Sequence, residues 1–98
     1  MFDTIFKTNL DFKFITKAKF AKIKNDYKWQ IIQIIKSYDW RKNHLLYATT
    51  FTPLNFKNEY ENKLDKSKKI LIFGDYRKLK AYYHFLKSKK YKVYLFKN

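Results

Sequence analysis

The side chains that perform most enzymatic chemistry are sparse in this 98-residue chain. There is no cysteine, which excludes a thiolate nucleophile, a disulfide framework and a thiolate zinc site. The two histidines, His44 and His84, lie far apart in sequence, and neither has a carboxylate at the spacing of a metal-binding motif. No serine has the context of a nucleophile elbow. We therefore predict that the protein is not an enzyme and holds no metal ion and no cofactor.

The acidic residues show no paired spacing that would suit general acid–base catalysis. Glu59 and Glu61 flank Tyr60 in a polar stretch, where a solvated loop is favoured over a catalytic pair. Gly74 lies between a short aliphatic run and a helical pattern, a place where backbone amides can bind phosphate. Asp75 follows at the position that the phosphate would take, so an ordinary helix N-cap is favoured there.

The basic residues are the largest excess in the composition. Lys and Arg number 23 against 8 Asp and Glu, which gives a net charge of +15. A free protein with this charge repels itself, so the charge favours a polyanionic partner, nucleic acid above all. Codon drift is the alternative, because Phe, Ile, Lys, Asn and Tyr have A/T-rich codons and fill more than half of the chain. Drift alone would also enrich glutamate, which occurs only at Glu59 and Glu61.

Three groups of basic residues form the predicted RNA-binding surface. They lie at the entry to a predicted strand, in a long polar segment, and along one face of a predicted helix. Because lysine acts as a point charge and arginine is scarce, contacts with RNA phosphates are expected rather than base readout. The residues are Arg41, Lys42 and His44 in the first group, Lys57, Lys63, Lys66, Lys68 and Lys69 in the second, and Arg77, Lys80 and Lys87 in the third.

Hydrophobic periodicity predicts the elements that would carry these residues. Alternation predicts a strand over 10–16, and apolar residues three or four apart predict a long helix over 17–38. A strand is predicted over 44–51, followed by an irregular polar segment, 52–69, that contains the single proline. No apolar stretch is long enough to span a membrane, and the first residues lack the pattern of a signal peptide.

The last third of the chain has the clearest pattern. Ile70–Phe73 predicts a buried strand, Asp75 a helix N-cap, 76–89 a helix and 91–96 a final strand, which together suggest a parallel crossover. The summed order is βαββαβ. It predicts a single domain, residues 1–98, of the α+β class: a ferredoxin-like sandwich with an antiparallel sheet. The 52–69 segment would be a long basic loop or hairpin extension between the second and third strands.

The run from Tyr47 to Phe96 resembles the small-subunit ribosomal protein ten family, particularly its mitochondrially encoded members. The resemblance lies in a strand that ends in Thr-Pro, a lysine after it, a Lys-Lys pair before an aliphatic strand, a basic aromatic helix and a closing strand. Leu54 stands where the family has a histidine. The matching positions here are Thr52-Pro53, Lys57, Lys68-Lys69, 71–73, 77–86 and 91–96.

The resemblance implies a ferredoxin-like protein whose long hairpin reaches rRNA. Together with the charge, it predicts a structural constituent of an organellar, mitochondrial small ribosomal subunit, whose lysines neutralise rRNA phosphates. The expected partners are rRNA and neighbouring ribosomal proteins, without a membrane or a small-molecule substrate. The expected location is the mitochondrial matrix, for an organelle-encoded protein without a targeting peptide, or the cytoplasm for a phage or bacterial protein. The alternatives are a non-catalytic structural subunit of another organellar complex and a small phage or plasmid nucleic-acid-binding protein.

Overall fold

Five strands and three helices make up the described part of the chain, in the order βαββαβαβ. The computed structural model describes residues 12–36, 45 and 47–97. The strands are β1 (Phe14–Thr16), β2 (Trp29–Ile34), β3 (Thr49–Phe51), β4 (Lys69–Ile72) and β5 (Lys92–Lys97). The helices are α1 (Lys17–Ile23), α2 (Phe56–Lys63) and α3 (Tyr76–Ser88).

All five strands belong to one parallel sheet, in the order β1-β5-β4-β2-β3. In the central register, Ile72 of β4 lies opposite Ile32 on one side and Leu95 on the other. Parallel neighbours need a crossover connection, so each strand is followed by a segment that returns the chain to the opposite end of the sheet. This arrangement places the carboxyl ends of all five strands at one edge.

The sheet separates two apolar cores, one on each face. The larger core joins Ile32, Ile72 and Leu95 to Phe56 of α2 and Tyr83 of α3. The smaller core joins Ile31 and Leu71 to Ile23 of α1, and partly buried aromatic rings surround it. The consecutive aliphatic residues Ile31-Ile32 of β2 and Leu71-Ile72 of β4 are buried on opposite faces, as is typical of parallel sheets that are covered on both sides.

The long helix predicted over 17–38 is wrong beyond Ile23, where α1 ends. A turn follows, in which the Asp26 carboxylate accepts a hydrogen bond from the Lys28 amide at 2.9 Å, and the chain then enters β2. Ile31 and Ile34 fit a helical stripe by spacing, but both belong to the strand Trp29–Ile34, whose central residues Ile31 and Ile32 are buried on opposite faces of the sheet.

The basic loop or hairpin predicted over 52–69 is also wrong, since this segment contains α2. Phe56, Tyr60 and Leu64 are spaced four apart and are all buried in the larger core. The segment is therefore a crossover helix that packs on the sheet instead of an arm that extends from it.

The predicted ferredoxin-like βαββαβ sandwich is wrong in topology, although helices and strands do combine in one small α/β fold. The described sheet has five parallel strands instead of four antiparallel ones. The predicted crossover at the end of the chain is confirmed, since β4, α3 and β5 follow one another and β4 pairs with β5 in parallel. Of the two earlier predicted strands, 10–16 contains β1 and 44–51 contains β3, with residues 10–11, 44 and 46 outside the described part.

Candidate functional site at the carboxyl edge of the sheet

A cavity of about 520 Å³ opens at the carboxyl ends of β4 and β5. In open parallel sheets, ligands bind outside the carboxyl ends of the strands, because the loops there are held by a rigid scaffold. The volume lies in the range of small-molecule sites. The residues that line the cavity are Phe73, Gly74, Asp75, Tyr76, Arg77, Phe96 and Lys97.

Gly74 makes the turn from β4 into α3 possible. Its φ of +145° lies in a region that L side chains rarely adopt, and a Cβ there would lie 3.1 Å from Leu79 Cδ1. Both the backbone conformation and the close approach of Leu79 therefore require glycine. The turn fixes where the next three residues enter the cavity.

Asp75 caps the amino end of α3, as the sequence predicted. Its Oδ1 accepts hydrogen bonds from the Arg77 amide and from Arg77 Nε, both at 3.1 Å, and its Oδ2 accepts one from Arg77 Nη2 at 3.2 Å. These bonds from the Arg77 side chain and amide lower the pKa of Asp75, and the same carboxylate raises the pKa of Arg77. The carboxylate stays ionised and is a poor general base, while the planar guanidinium is held in one orientation.

Aromatic rings form the wall of the cavity on the α1 side of the sheet. The Phe73 and Phe96 ring centroids lie 4.6 Å apart, and Phe20 of α1 packs 4.9 Å from Phe73 and 5.4 Å from Phe96. Phe73 and Phe96 are only partly buried, so the edge of this cluster faces the cavity. The wall offers an apolar surface to a flat ligand.

A lysine ammonium lies on the α3 side of the same cavity. Lys97 Nζ is 5.0 Å from the Phe14 ring centroid and 5.6 Å from that of Tyr76, and these two rings pack edge to face at 5.2 Å. The rings hold the ammonium by cation–π attraction at the end of β5. The cavity thus has an apolar wall and two oriented cations, Lys97 and Arg77.

The side chains in the lining that carry polar groups are those of Asp75, Tyr76, Arg77 and Lys97. The lining includes neither histidine nor serine, and its only carboxylate is that of Asp75. Over residues 12–36, 45 and 47–97, no group of three potential metal-ligating side chains comes together.

The predicted RNA-binding residues are spread over the molecule, and one of them, Arg77, lines the cavity. Several lysine ammoniums lie over separate aromatic rings, at 5.2–5.9 Å from the centroids, instead of forming one extended arm. These pairs are Lys57 with Phe85, Lys63 with Phe51, Lys66 with Tyr91, Lys69 with Trp29, Lys80 with Phe12, and Lys87 with Tyr83.

The remaining predicted RNA-binding positions have other surroundings. The Lys68 amide donates to the Asp65 carbonyl at 3.0 Å in the turn before β4. Lys63 Nζ also pairs with Glu59 at 3.1 Å. Lys87 lines a second, smaller cavity of about 270 Å³ at the amino end of β5, with Lys13 and Lys92. Arg41, Lys42 and His44 lie outside the described residues.

Sequence reasoning missed most of the cavity. Phe73, Phe96 and Lys97 are adjacent because Ile72 and Leu95 lie opposite each other in the parallel pairing of β4 with β5. The sequence predicted the parallel crossover, but neither this register nor a site at the strand ends. The available signal was that each residue directly follows or ends a predicted strand. In a parallel sheet, such residues meet at one edge.

No protein-family profile and no curated protein matches the chain, so sequence comparison neither supports nor refutes the ribosomal resemblance. Solved structures do match. An EanB variant with two cysteines replaced by alanine, in complex with hercynine, superposes with a TM-score of 0.75 at 14% identity. A tyrosine-to-alanine variant of EanB with ergothioneine gives 0.71 at 18%, and a threonine-to-valine variant with hercynine gives 0.68 at 14%.

These likenesses show the fold. Each covers 88% of this chain and 24% of the EanB chain, so the chain spans about a quarter of the length of EanB. The predicted function, a structural constituent of an organellar small ribosomal subunit that binds rRNA phosphates, is wrong. The fold is that of a segment of EanB, and the hairpin arm that would have reached rRNA is replaced by α2. Neither alternative, another organellar structural subunit or a phage or plasmid nucleic-acid-binding protein, is retained.

The described helices are too short and too polar for one of them to cross a lipid bilayer.

Proposed function

We propose that this chain is a non-catalytic binding domain whose carboxyl-edge cavity takes a small organic anion with a planar ring. The observation that carries the proposal is the pairing of an aromatic wall, Phe73 and Phe96, with two oriented cations, Arg77 and Lys97, around one cavity. An apolar pocket with a few convergent polar groups is the usual form of a small-molecule site.

The two cations fit a carboxylate or a similar anion. Asp75 accepts hydrogen bonds from Arg77 Nε and Nη2, and the Arg77 side chain is 75% exposed, so its other N–H donors are accessible to a ligand. Lys97 Nζ is held over the Phe14 and Tyr76 rings, which carry no formal charge and leave its positive charge uncompensated by them. An anion placed between them would gain charge-assisted hydrogen bonds.

Binding without catalysis follows from the same residues. The chain has no cysteine, and the lowered pKa of Asp75 keeps its carboxylate ionised and already hydrogen-bonded. A general base must be able to accept a proton near the working pH, and this carboxylate does so only in acid. The proposal therefore keeps the expectation that the protein is not an enzyme and replaces the expectation of no small-molecule ligand.

Hercynine and ergothioneine are the first compounds to test, because they occupy the EanB structures with this fold. Each combines a carboxylate with a planar five-membered ring, which matches the two features of the cavity. Each is a zwitterion, because a trimethylammonium group balances the carboxylate, so the carboxylate is the part of the molecule that Arg77 and Lys97 would bind. We expect at least one of them to bind the purified chain with a 1:1 stoichiometry in isothermal titration calorimetry.

Lys97→Gln is the variant that tests the site, and Lys92→Gln is its matched control at the opposite end of β5. We expect Lys97→Gln to weaken binding about tenfold, since a charged hydrogen bond contributes roughly 1.5–3 kcal/mol, and Lys92→Gln to leave it within twofold. Equal losses from both variants would show a nonspecific effect of net charge. Absence of binding by the unmodified chain to both compounds would remove the ligand class from the proposal.

A further inference from the structure

A third cavity, independent of the carboxyl edge, lies between the start of α2 and the outer face of α3. Its volume is about 370 Å³. Leu54, in the turn before α2, is 89% exposed at its rim, an unusual position for a large aliphatic side chain next to an apolar cavity. We call this cavity the Leu54 groove; it is lined by Pro53, Leu54, Phe56, Lys57, Ala81, Tyr82 and Phe85.

The floor of the Leu54 groove is a packed set of aromatic rings. Phe56 lies 5.0 Å from Tyr82 and 5.7 Å from Phe85, in both cases edge to face, and Tyr60 supports Phe85 at 5.0 Å. Phe56 is 1% exposed, so the floor is anchored in the larger core. A fixed apolar floor with rings at its centre is the form that protein-binding hot spots take.

Cations surround this floor. Lys57 Nζ and Lys89 Nζ lie 5.9 and 5.6 Å from the Phe85 ring centroid. On α3, Lys78 precedes Ala81 by three residues on the same helical face, and Lys89 follows Phe85 by four. The face from Lys78 to Lys89 is roughly 16 Å long, which corresponds to three helical turns.

The nearest acidic residues are on α2, and none of them lines the groove. Glu59 pairs with Lys63 at 3.1 Å, and Glu61 lies near Tyr91, whose pKa is raised by burial first and then by Tyr60 and Glu61. The surroundings of the apolar floor are therefore predominantly positive.

We infer that the Leu54 groove binds an acidic peptide segment of another protein, with one or two large apolar side chains seated on Phe56, Tyr82 and Phe85. Charge complementarity selects this occupant. A second copy of the chain would bring its own net charge of +15 against the basic rim, and like charges across an interface are strongly unfavourable. A helix laid in an apolar groove, with carboxylates facing the rim, satisfies both features.

Selection of peptides from a random 12-residue display library against the full chain tests this inference. We expect the selected sequences to combine Leu, Phe or Trp with several Asp or Glu residues. Synthetic versions of the selected peptides should shift the amide resonances of residues 54–57, which follow Pro53, and of residues 81–89 in the 15N-labelled chain. Failure to select any binder, or selection of basic sequences, would overturn the inference.

Variants locate the contact. Leu54→Ser should weaken binding of the selected acidic peptide at least fivefold. Lys57→Glu combined with Lys89→Glu should weaken it at least tenfold. The matched control is Lys17→Glu combined with Lys22→Glu on α1, which makes the same change in net charge on a different helix. Equal weakening by the control pair, or unchanged binding to Leu54→Ser, would overturn the inference. Thermal unfolding of each variant establishes that it is folded.

Discussion

The two turns that join α3 to the sheet solve the same geometric problem in different ways. Before the helix, Gly74 adopts a φ of +145°, and after it Lys90 adopts a φ of +72°. The first conformation excludes side chains, whereas the second is the left-handed region that non-glycine residues enter at moderate cost. The turn at the carboxyl edge therefore requires glycine, whereas the turn at the amino edge accepts Lys90 at a moderate energetic cost.

The side chains around the two turns also differ. At the carboxyl edge, Asp75 and Arg77 form a hydrogen-bonded pair within a cavity that also has an aromatic wall, Phe73 and Phe96. At the amino edge, Lys87 and Lys92 line a smaller cavity, and Tyr91 is buried beneath Lys66. Both edges contain lysines and aromatic rings, so composition alone does not mark a site. Oriented cations next to an open apolar wall distinguish the carboxyl edge.

The largest expected effect comes from Gly74→Ala. The new Cβ would meet Leu79 Cδ1 at 3.1 Å in a backbone conformation that alanine does not adopt readily. We expect the free energy of unfolding to fall by about 1–3 kcal/mol, measured by urea denaturation. An unchanged stability would mean that the turn is less constrained than its geometry indicates.

The opposite change at the other turn should stabilise the protein. Lys90→Gly removes the cost of a side chain at a φ of +72°, where the helix ends and the Tyr91 amide donates to the Leu86 carbonyl at 3.1 Å. We expect a gain of roughly 0.5–1 kcal/mol, reduced by the extra freedom of glycine in the unfolded chain. A loss of stability in the same urea assay would contradict the contrast between the turns.

The acid limb of the stability curve should report on the turn before α3. The pKa of Asp75 lies below its ordinary value of 3.8 because Arg77 donates hydrogen bonds to its carboxylate. The stability that the ionised carboxylate contributes is therefore present above pH 3.8 and is lost as the pH falls through the lowered pKa. Asp75→Asn should make unfolding less dependent on pH below 4 than in the unmodified chain. Carboxyl 13C titration by NMR measures the pKa directly, and a value at or above 3.8 would contradict the pairing.

The alkaline limb should report on the turn after α3. Burial, followed by the neighbouring Tyr60 and Glu61, raises the pKa of Tyr91 above its ordinary value of 10.0. The stability that the neutral phenol contributes is present below 10.0 and lost as the pH rises through the raised pKa. Absorbance at 295 nm should show a late-titrating component that is lost in Tyr91→Phe. If the late component persists in that variant, the assignment to Tyr91 is incorrect.

Local signals in the sequence predicted the last third of the chain well. An aliphatic run, a glycine, an aspartate cap and a helical stripe identify β4, α3 and β5 without tertiary information. β2 was not predicted, because Trp29–Ile34 is buried on both faces and so lacks an alternating pattern of apolar and polar residues. α2 was not predicted, because lysine, asparagine and glutamate separate its apolar residues. Parallel pairing depends on contacts that no single segment encodes.

The residues of the candidate site were likewise predictable only where they have a local role in the sequence. Arg77 and the Gly74-Asp75 turn stood out in the sequence because each has a local meaning, as a cation, a turn and a cap. Phe96 and Lys97 had no such meaning until the parallel register placed the end of β5 beside the end of β4. A binding site assembled from strand ends is visible only when the order of the strands is known.

The most direct test of the carboxyl-edge site is amide chemical-shift mapping of the 15N-labelled chain titrated with ergothioneine and, separately, with hercynine. The account predicts saturable shifts concentrated at 73–77 and 96–97, with the turn at 89–92 nearly unchanged. Shifts centred on Lys87 and Lys92, or spread evenly over the basic surface, would contradict it.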